Sequence, residues 1–173
     1  MKLNVLYALA ATVAFLILVM LAYLASQRAG RIRLVAKPIM TPIERETFGY
    51  LEAVVPQFRI YAQVAMGALL RPEPGMSRQD ATRLRNRFSQ KIVDYVIEDP
   101  ESGEVVALVE LDDRSHRAER DRARDTMTAA AGYFTIRLPA GERPTLQNVR
   151  SRVTEGLEAR RVAMAAAQAG LTN

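Results

Sequence analysis

The stretch Lys91–His116, KIVDYVIEDPESGEVVALVELDDRSH, constrains the fold more than any other part of the chain, because two β-branched runs flank a dense cluster of turn formers. Asp99-Pro100-Glu101-Ser102-Gly103 separates Ile92–Ile97 from Val105–Leu111, and that order predicts an antiparallel β-hairpin. Side chains of a strand alternate between faces, so Glu110 and Asp112 share one side. With the hairpin centred near Ser102, Asp94 falls opposite Glu110, and directly paired antiparallel residues hold their Cβ atoms roughly 5 Å apart. Two carboxylates then converge beside a third.

Like charges at that separation repel unless a proton or a cation intervenes, and Asp and Glu are rarely buried unpaired. An oxygen-only, carboxylate-rich set suits Mg²⁺ or Mn²⁺, hard ions held by a few carboxylates together with water and phosphate. Asp94, Glu110 and Asp112 are therefore candidate metal ligands. The alternative is a solvated hairpin end whose alternation frays at Asp112 and Asp113.

A second feature removes the N-terminus from the soluble fold. Val5–Ala25 is uncharged and mainly apolar, long enough for one membrane-spanning helix at ~20 residues. Lys2 precedes it while Arg28, Arg31, Arg33 and Lys37 follow, so the positive-inside bias predicts a single-pass protein of the bacterial inner membrane with a cytoplasmic C-terminal part. A cleaved signal peptide is the competing reading, but its small-residue pattern is poor: a cut after Ala25 puts Tyr23 in the third position, and a cut after Ala22 puts Met20 there. The expected organisation is an anchor over 1–26, a basic juxtamembrane linker over 27–39, a folded domain over 40–140 and a helical extension over 141–173. The chain has no cysteine, which excludes disulfides and thiolate ligands.

Within the domain, Thr41-Pro42-Ile43-Glu44 is a helix start with Thr41 as N-cap, Pro42 at N1 and Glu44 completing a capping box. This helix should reach Val55, before Pro56. Glu44, Phe48, Leu51 and Val55 fall nearly on one line, which makes Glu44 a candidate fourth carboxylate for the hairpin site; reciprocal capping accounts for it equally well. A short strand is expected over Gln57–Tyr61, a helix or irregular segment over Val64–Leu70 and a helical turn over Asp80–Phe88. Further on, a helix over Arg117–Ala131 closed by Gly132, a strand over Tyr133–Leu138 and a helix over Thr145–Gln168 complete the pattern. A hairpin followed by helix and strand predicts an α/β fold with a mixed sheet.

The formal charge is +5. Arg71, Arg78, Arg83, Arg85, Arg87 and Lys91 precede the acidic hairpin, and Arg114, Arg117, Arg120, Arg122 and Arg124 follow it. An acidic centre flanked by cationic surfaces suits a polyphosphate backbone, which makes nucleic acid the leading partner. Arg117, Arg120 and Arg124 are spaced to share one helix face, where they could contact phosphate or stabilise the acids; simple helix solubility, aided by Glu119, Asp121 and Asp125, is the plainer account.

The motifs MTPIERETFGYL, PQFRI, KIVDYVI, VVALVELDDRSH and AGYFTIRL, with the Arg/Asp-rich helix between the last two, resemble domain-of-unknown-function family 2726 from Met40 to Leu138. That family is similar to the restriction-endonuclease-like, PD-(D/E)XK superfamily. The resemblance implies a restriction-endonuclease-like core in which Glu44 is the helical acid, Asp94 the first-strand ligand and Glu110 the second-strand ligand. Asp112 stands where the superfamily usually has lysine, so it can add a ligand or orient water but cannot supply an ammonium.

The expectation for function is a membrane-anchored nuclease dependent on Mg²⁺ or Mn²⁺, acting on DNA or, as the less favoured substrate, RNA. Asp94, Glu110, Asp112 and Glu44 form its site, with Lys91, Arg117 and Arg120 as auxiliary cations and His116 as an auxiliary proton shuttle. The alternative is a catalytically inactive, membrane-tethered nucleic-acid-binding or scaffolding domain.

Overall fold

The computed structural model describes residues 2–29, 33–112, 118–139 and 143–170. The chain divides into two compact units, Met1–Lys37 and Pro38–Asn173. The first holds helix α1 (Lys2–Ala29), in which Asn4–Leu24 is long and apolar enough to cross a membrane, with a mean hydropathy of 2.7.

The second unit is a mixed α/β domain in the order α2 (Pro42–Val54), β1 (Arg59–Ala65), α3 (Met66–Leu69), α4 (Arg78–Phe88), β2 (Ile92–Glu98), β3 (Val105–Leu111), α5 (Ala118–Ala130), β4 (Thr135–Leu138) and α6 (Leu146–Gly170). The four strands lie in the spatial order β1-β2-β3-β4. β2 pairs antiparallel with β1 on one side and β3 on the other, and the crossover through α5 returns β4 parallel to β3.

Local chemistry explains most boundaries. At the start of α2 the Thr41 hydroxyl accepts the Glu44 N–H at 3.3 Å while the Glu44 carboxylate accepts the Thr41 N–H at 2.5 Å, so both halves of the capping box are made. The β2–β3 hairpin closes through Gly103, whose φ of 71° suits glycine and whose N–H donates to the Asp99 carbonyl at 2.8 Å. A register shift between Ile97 and Glu98 absorbs one residue of the turn. Gly132, with φ 82°, ends α5.

Two differences from the sequence expectation have clear causes. β1 begins later than Gln57 and runs to Ala65, because pairing from Arg59 with Glu98 to Ala65 with Ile92 overrides the weak helical preference of that stretch. α4 begins at Arg78 because Ser77 caps it, its hydroxyl accepting the Asp80 N–H at 3.1 Å.

The sheet has an apolar core on each face. One holds Leu51 and Val55 from the α2 end, Tyr95 and Ile97 from β2, Val109 from β3, Ile136 and Leu138 from β4, and Val149 and Val153 from α6. The later turns of α6 are exposed. The other core gathers Met66, Leu70, Phe88, Val93, Val96 and Leu108, with Leu84, Met127 and Tyr133 packed against it. Across this second core the Tyr133 hydroxyl donates to the Leu69 carbonyl at 2.9 Å.

Candidate functional site

The hairpin ladder pairs Tyr95 with Val109, Val96 with Leu108 and Ile97 with Ala107. The ladder ends at the Tyr95–Val109 pair, and by alternation Glu110 lies on the face that carries Leu108. Asp94 holds the ladder end together, its Oδ2 accepting the Leu111 N–H at 2.8 Å.

Glu110 is only 3% exposed. A carboxylate that deep needs a partner, and Arg124 of α5 places its Nη2 2.9 Å from Glu110 Oε2. Burial pushes the Glu110 carboxyl up to about 8, the Arg124 charge pulls against that, and the charge on Asp94 adds to the rise. Asp94 and Glu110 are thus electrostatically linked.

Asp112 follows β3 and is held by Arg137, whose Nη1 donates to Asp112 Oδ1. The other end of the same guanidinium donates to both Asp125 oxygens, at 2.6 and 2.7 Å. Burial works against the Arg137 charge, but Asp125 and Asp112 together outweigh it and hold this cation more firmly protonated than usual. Arg137 pairs with Glu110 in the β3–β4 register, so one residue of β4 reaches three carboxylate-bearing positions.

Glu44 arrives from α2. Besides capping, its Oε1 accepts a 3.5 Å hydrogen bond from Gln63 Nε2 on β1. Its backbone carbonyl accepts the Tyr95 hydroxyl at 2.7 Å, a contact that ties α2 to the middle of the sheet. Burial raises the Tyr95 phenol first, and the charges of Asp94 and Glu44 raise it further, which puts both acids within electrostatic reach of one hydroxyl.

Lys91 stands at the entrance to β2, where its carbonyl accepts the Met66 N–H at 2.8 Å and its own N–H donates to the Phe88 carbonyl at 2.9 Å. His116 and Arg117 lie outside the described residues, and Arg120 is described only as helical backbone of α5. Three contributors escaped the sequence reading as members of the site: Arg137, Asp125 and Gln63. A signal for Arg137 existed, since in the strand Thr135-Ile136-Arg137-Leu138 it points away from the apolar pair Ile136 and Leu138.

Among the described residues no group of three or more His, Cys, Asp or Glu side chains is gathered to hold a metal ion. Asp94 and Glu110 are two carboxylates close enough to interact electrostatically. Mg²⁺ is usually bound by one or two carboxylates, the remaining positions going to water and substrate, so the donor chemistry of this pair fits such an ion.

The fold and site together define a mixed α/β domain with a charge-compensated acidic cluster at the end of a central hairpin. Residues 36–156 match the family described as Protein of unknown function (DUF2726), and the chain belongs to that family. No curated protein and no solved structure matches the chain significantly.

Proposed function

We propose that this protein is a divalent-metal-dependent nuclease with a restriction-endonuclease-like core, anchored by α1 in the bacterial inner membrane with its folded domain in the cytoplasm. The observation that supports the reading is that Asp94 of β2 and Glu110 of β3 are close enough to interact electrostatically, with Arg124 2.9 Å from Glu110. Asp94 and Glu110 would hold Mg²⁺ or Mn²⁺, Glu44 of α2 would be a further acid of the site, and Asp112, held by Arg137, would orient a nucleophile. When bound, such an ion supplies an activated water at neutral pH and offsets charge on a phosphate. Arg124 and Arg137 put positive charge beside the acids, where a phosphodiester oxygen gains negative charge. The exposed Arg78, Arg83, Arg85 and Arg87 of α4 favour a nucleic-acid backbone as substrate, DNA ahead of RNA.

A cleavage assay with Mg²⁺ or Mn²⁺ on single-stranded, double-stranded and branched DNA, with RNA in parallel, tests this. Cleavage abolished by Asp94→Ala and by Glu110→Ala, in variants that stay folded and still bind substrate, is the expected result. Metal-independent binding with no cleavage by the native chain refutes catalysis.

The second reading, a nucleic-acid-binding or scaffolding domain without catalysis, is favoured by one observation: Glu110, Asp112 and Asp125 are all engaged in ion pairs with Arg124 and Arg137.

A further inference from the structure

The apolar face of α6 outlasts the core it packs on. Val149 and Val153 are fully buried, Leu157 packs at the margin of that core, and Met164, two turns further along the same side of the helix, is 45% exposed. There α6 forms one wall of a groove of about 420 Å³, with Phe58, just before β1, and Val106 of β3 among the residues that complete it. That volume lies within the ~300–1,000 Å³ of small-molecule pockets. The lining is mostly apolar, and its charged members among the described residues are Arg160 and Arg161.

The two arginines differ. Arg161 points outward and pairs with Glu158 at 2.8 Å. Arg160 is half-buried, sits on the apolar side of the helix between Leu157 and Met164, and makes no ion pair or hydrogen bond among the described residues. Its stem can cover apolar surface, but its head lies beside a groove with no carboxylate to answer it. An anion is what this position lacks. The walls also offer an extended peptide few partners for its backbone, because α6 and β3 use their own N–H and C=O groups internally. An alkyl chain has no such groups to satisfy.

We propose that this groove binds a free long-chain fatty acid, its alkyl chain lying over Phe58, Val106, Leu157 and Met164 and its carboxylate at the Arg160 guanidinium. Removing the chain from water supplies the drive, and the charge-assisted contact with Arg160 fixes the orientation. A phospholipid would bring a second chain for which the groove has no second slot. The site is built on α6, whereas the acidic cluster is held by α5, so it stands independently of the nuclease reading.

The test uses the full-length chain in nanodiscs of zwitterionic lipid and a palmitate analogue with a photoreactive diazirine in its chain, the crosslinked peptides being mapped by mass spectrometry. Labelling of the peptides that carry Phe58 and Met164 should saturate and be competed by plain palmitate. Arg160→Gln should raise the half-saturating concentration about tenfold, the scale of one lost hydrogen bond to a charged group, while Arg160→Lys keeps most of the binding. Met164→Asp should abolish labelling. Both positions lie outside the buried core, so the variants should melt at the wild-type temperature. A trimethylammonium analogue of the same chain should leave the groove unlabelled. Labelling confined to α1, equal labelling by the cationic analogue, or binding unchanged in Arg160→Gln and Met164→Asp overturns the proposal. So does a wild-type chain that light scattering finds dimeric and that Met164→Asp makes monomeric, because a second copy then fills the groove.

Discussion

The two faces of the sheet are both covered, yet by different physics. On the face shared with α2 and α6 the seal is apolar, and its polar intruders are satisfied locally: Thr47 donates to the Ile43 carbonyl at 2.9 Å and Tyr95 to the Glu44 carbonyl. On the other face an apolar patch under α3 and α4 gives way, toward the end of β3, to Glu110, Asp112, Arg124, Asp125 and Arg137. Apolar burial is indifferent to pH and ions, whereas buried charge makes stability depend on which protons and cations are present. A domain built this way keeps one face for holding the fold and leaves part of the other responsive.

The sharpest break of that comparison comes from the apolar side. Leu51 is fully buried, so Leu51→Ala should cost about 4 kcal/mol by loss of transfer energy and creation of a cavity, and equally at pH 6 and pH 9 in urea denaturation. On the charged side, Arg124→Met should cost about 3 kcal/mol at pH 9, where Glu110 is left as a buried unpaired charge, and clearly less at pH 6, where Glu110 takes a proton. A pH-independent penalty for Arg124→Met would show that the two faces do not differ as described.

The wild-type pH dependence sharpens the same point. Because the Glu110 carboxyl is raised in the folded state, the native protein holds a proton that the unfolded chain releases. Its contribution is therefore fully present below about 4.5 and is lost as pH rises to about 8. In metal-free buffer this group should lower stability by up to about 1.4 kcal/mol per pH unit across that window, and Glu110→Gln should flatten the slope. A smaller effect is expected at Tyr95→Phe, about 1 kcal/mol for the lost hydrogen bond to Glu44, seen as a shift in the denaturation midpoint with unchanged slope. Smallest of all, Arg83→Ala breaks an exposed pair with Asp80 and should stay within about 0.5 kcal/mol.

The legible parts of the fold were those written in short-range chemistry. The turn cluster after Asp99 and the β-branched runs around it predict the hairpin, and the ladder follows the centre near Ser102 beyond a single shift at Ile97. Thr41 and Glu44 likewise announce the start of α2 by their spacing alone. The parallel return of β4 is different in kind. Arg137 lies 27 residues after Glu110 along the chain, by the difference of their numbers, and becomes its neighbour only once α5 has carried the chain back. Asp125 had an adequate local explanation as a solubilising residue on a helix, and only its bidentate contact with Arg137 gives it another.

By itself, then, the sequence determined the apolar N-terminal helix, the order and type of the elements and the hairpin register. All of these depend on periodicity, caps and turns that act within a few residues. The tertiary structure alone decided that Arg124 would neutralise Glu110, that Arg137 would clamp Asp112 to Asp125, and that Gln63 would adopt a left-handed backbone across from Asp94. Those outcomes follow from the simultaneous packing of α2, α5 and β4 around the hairpin, where the cost of burying charge and of turning a strand is met by residues far away in sequence.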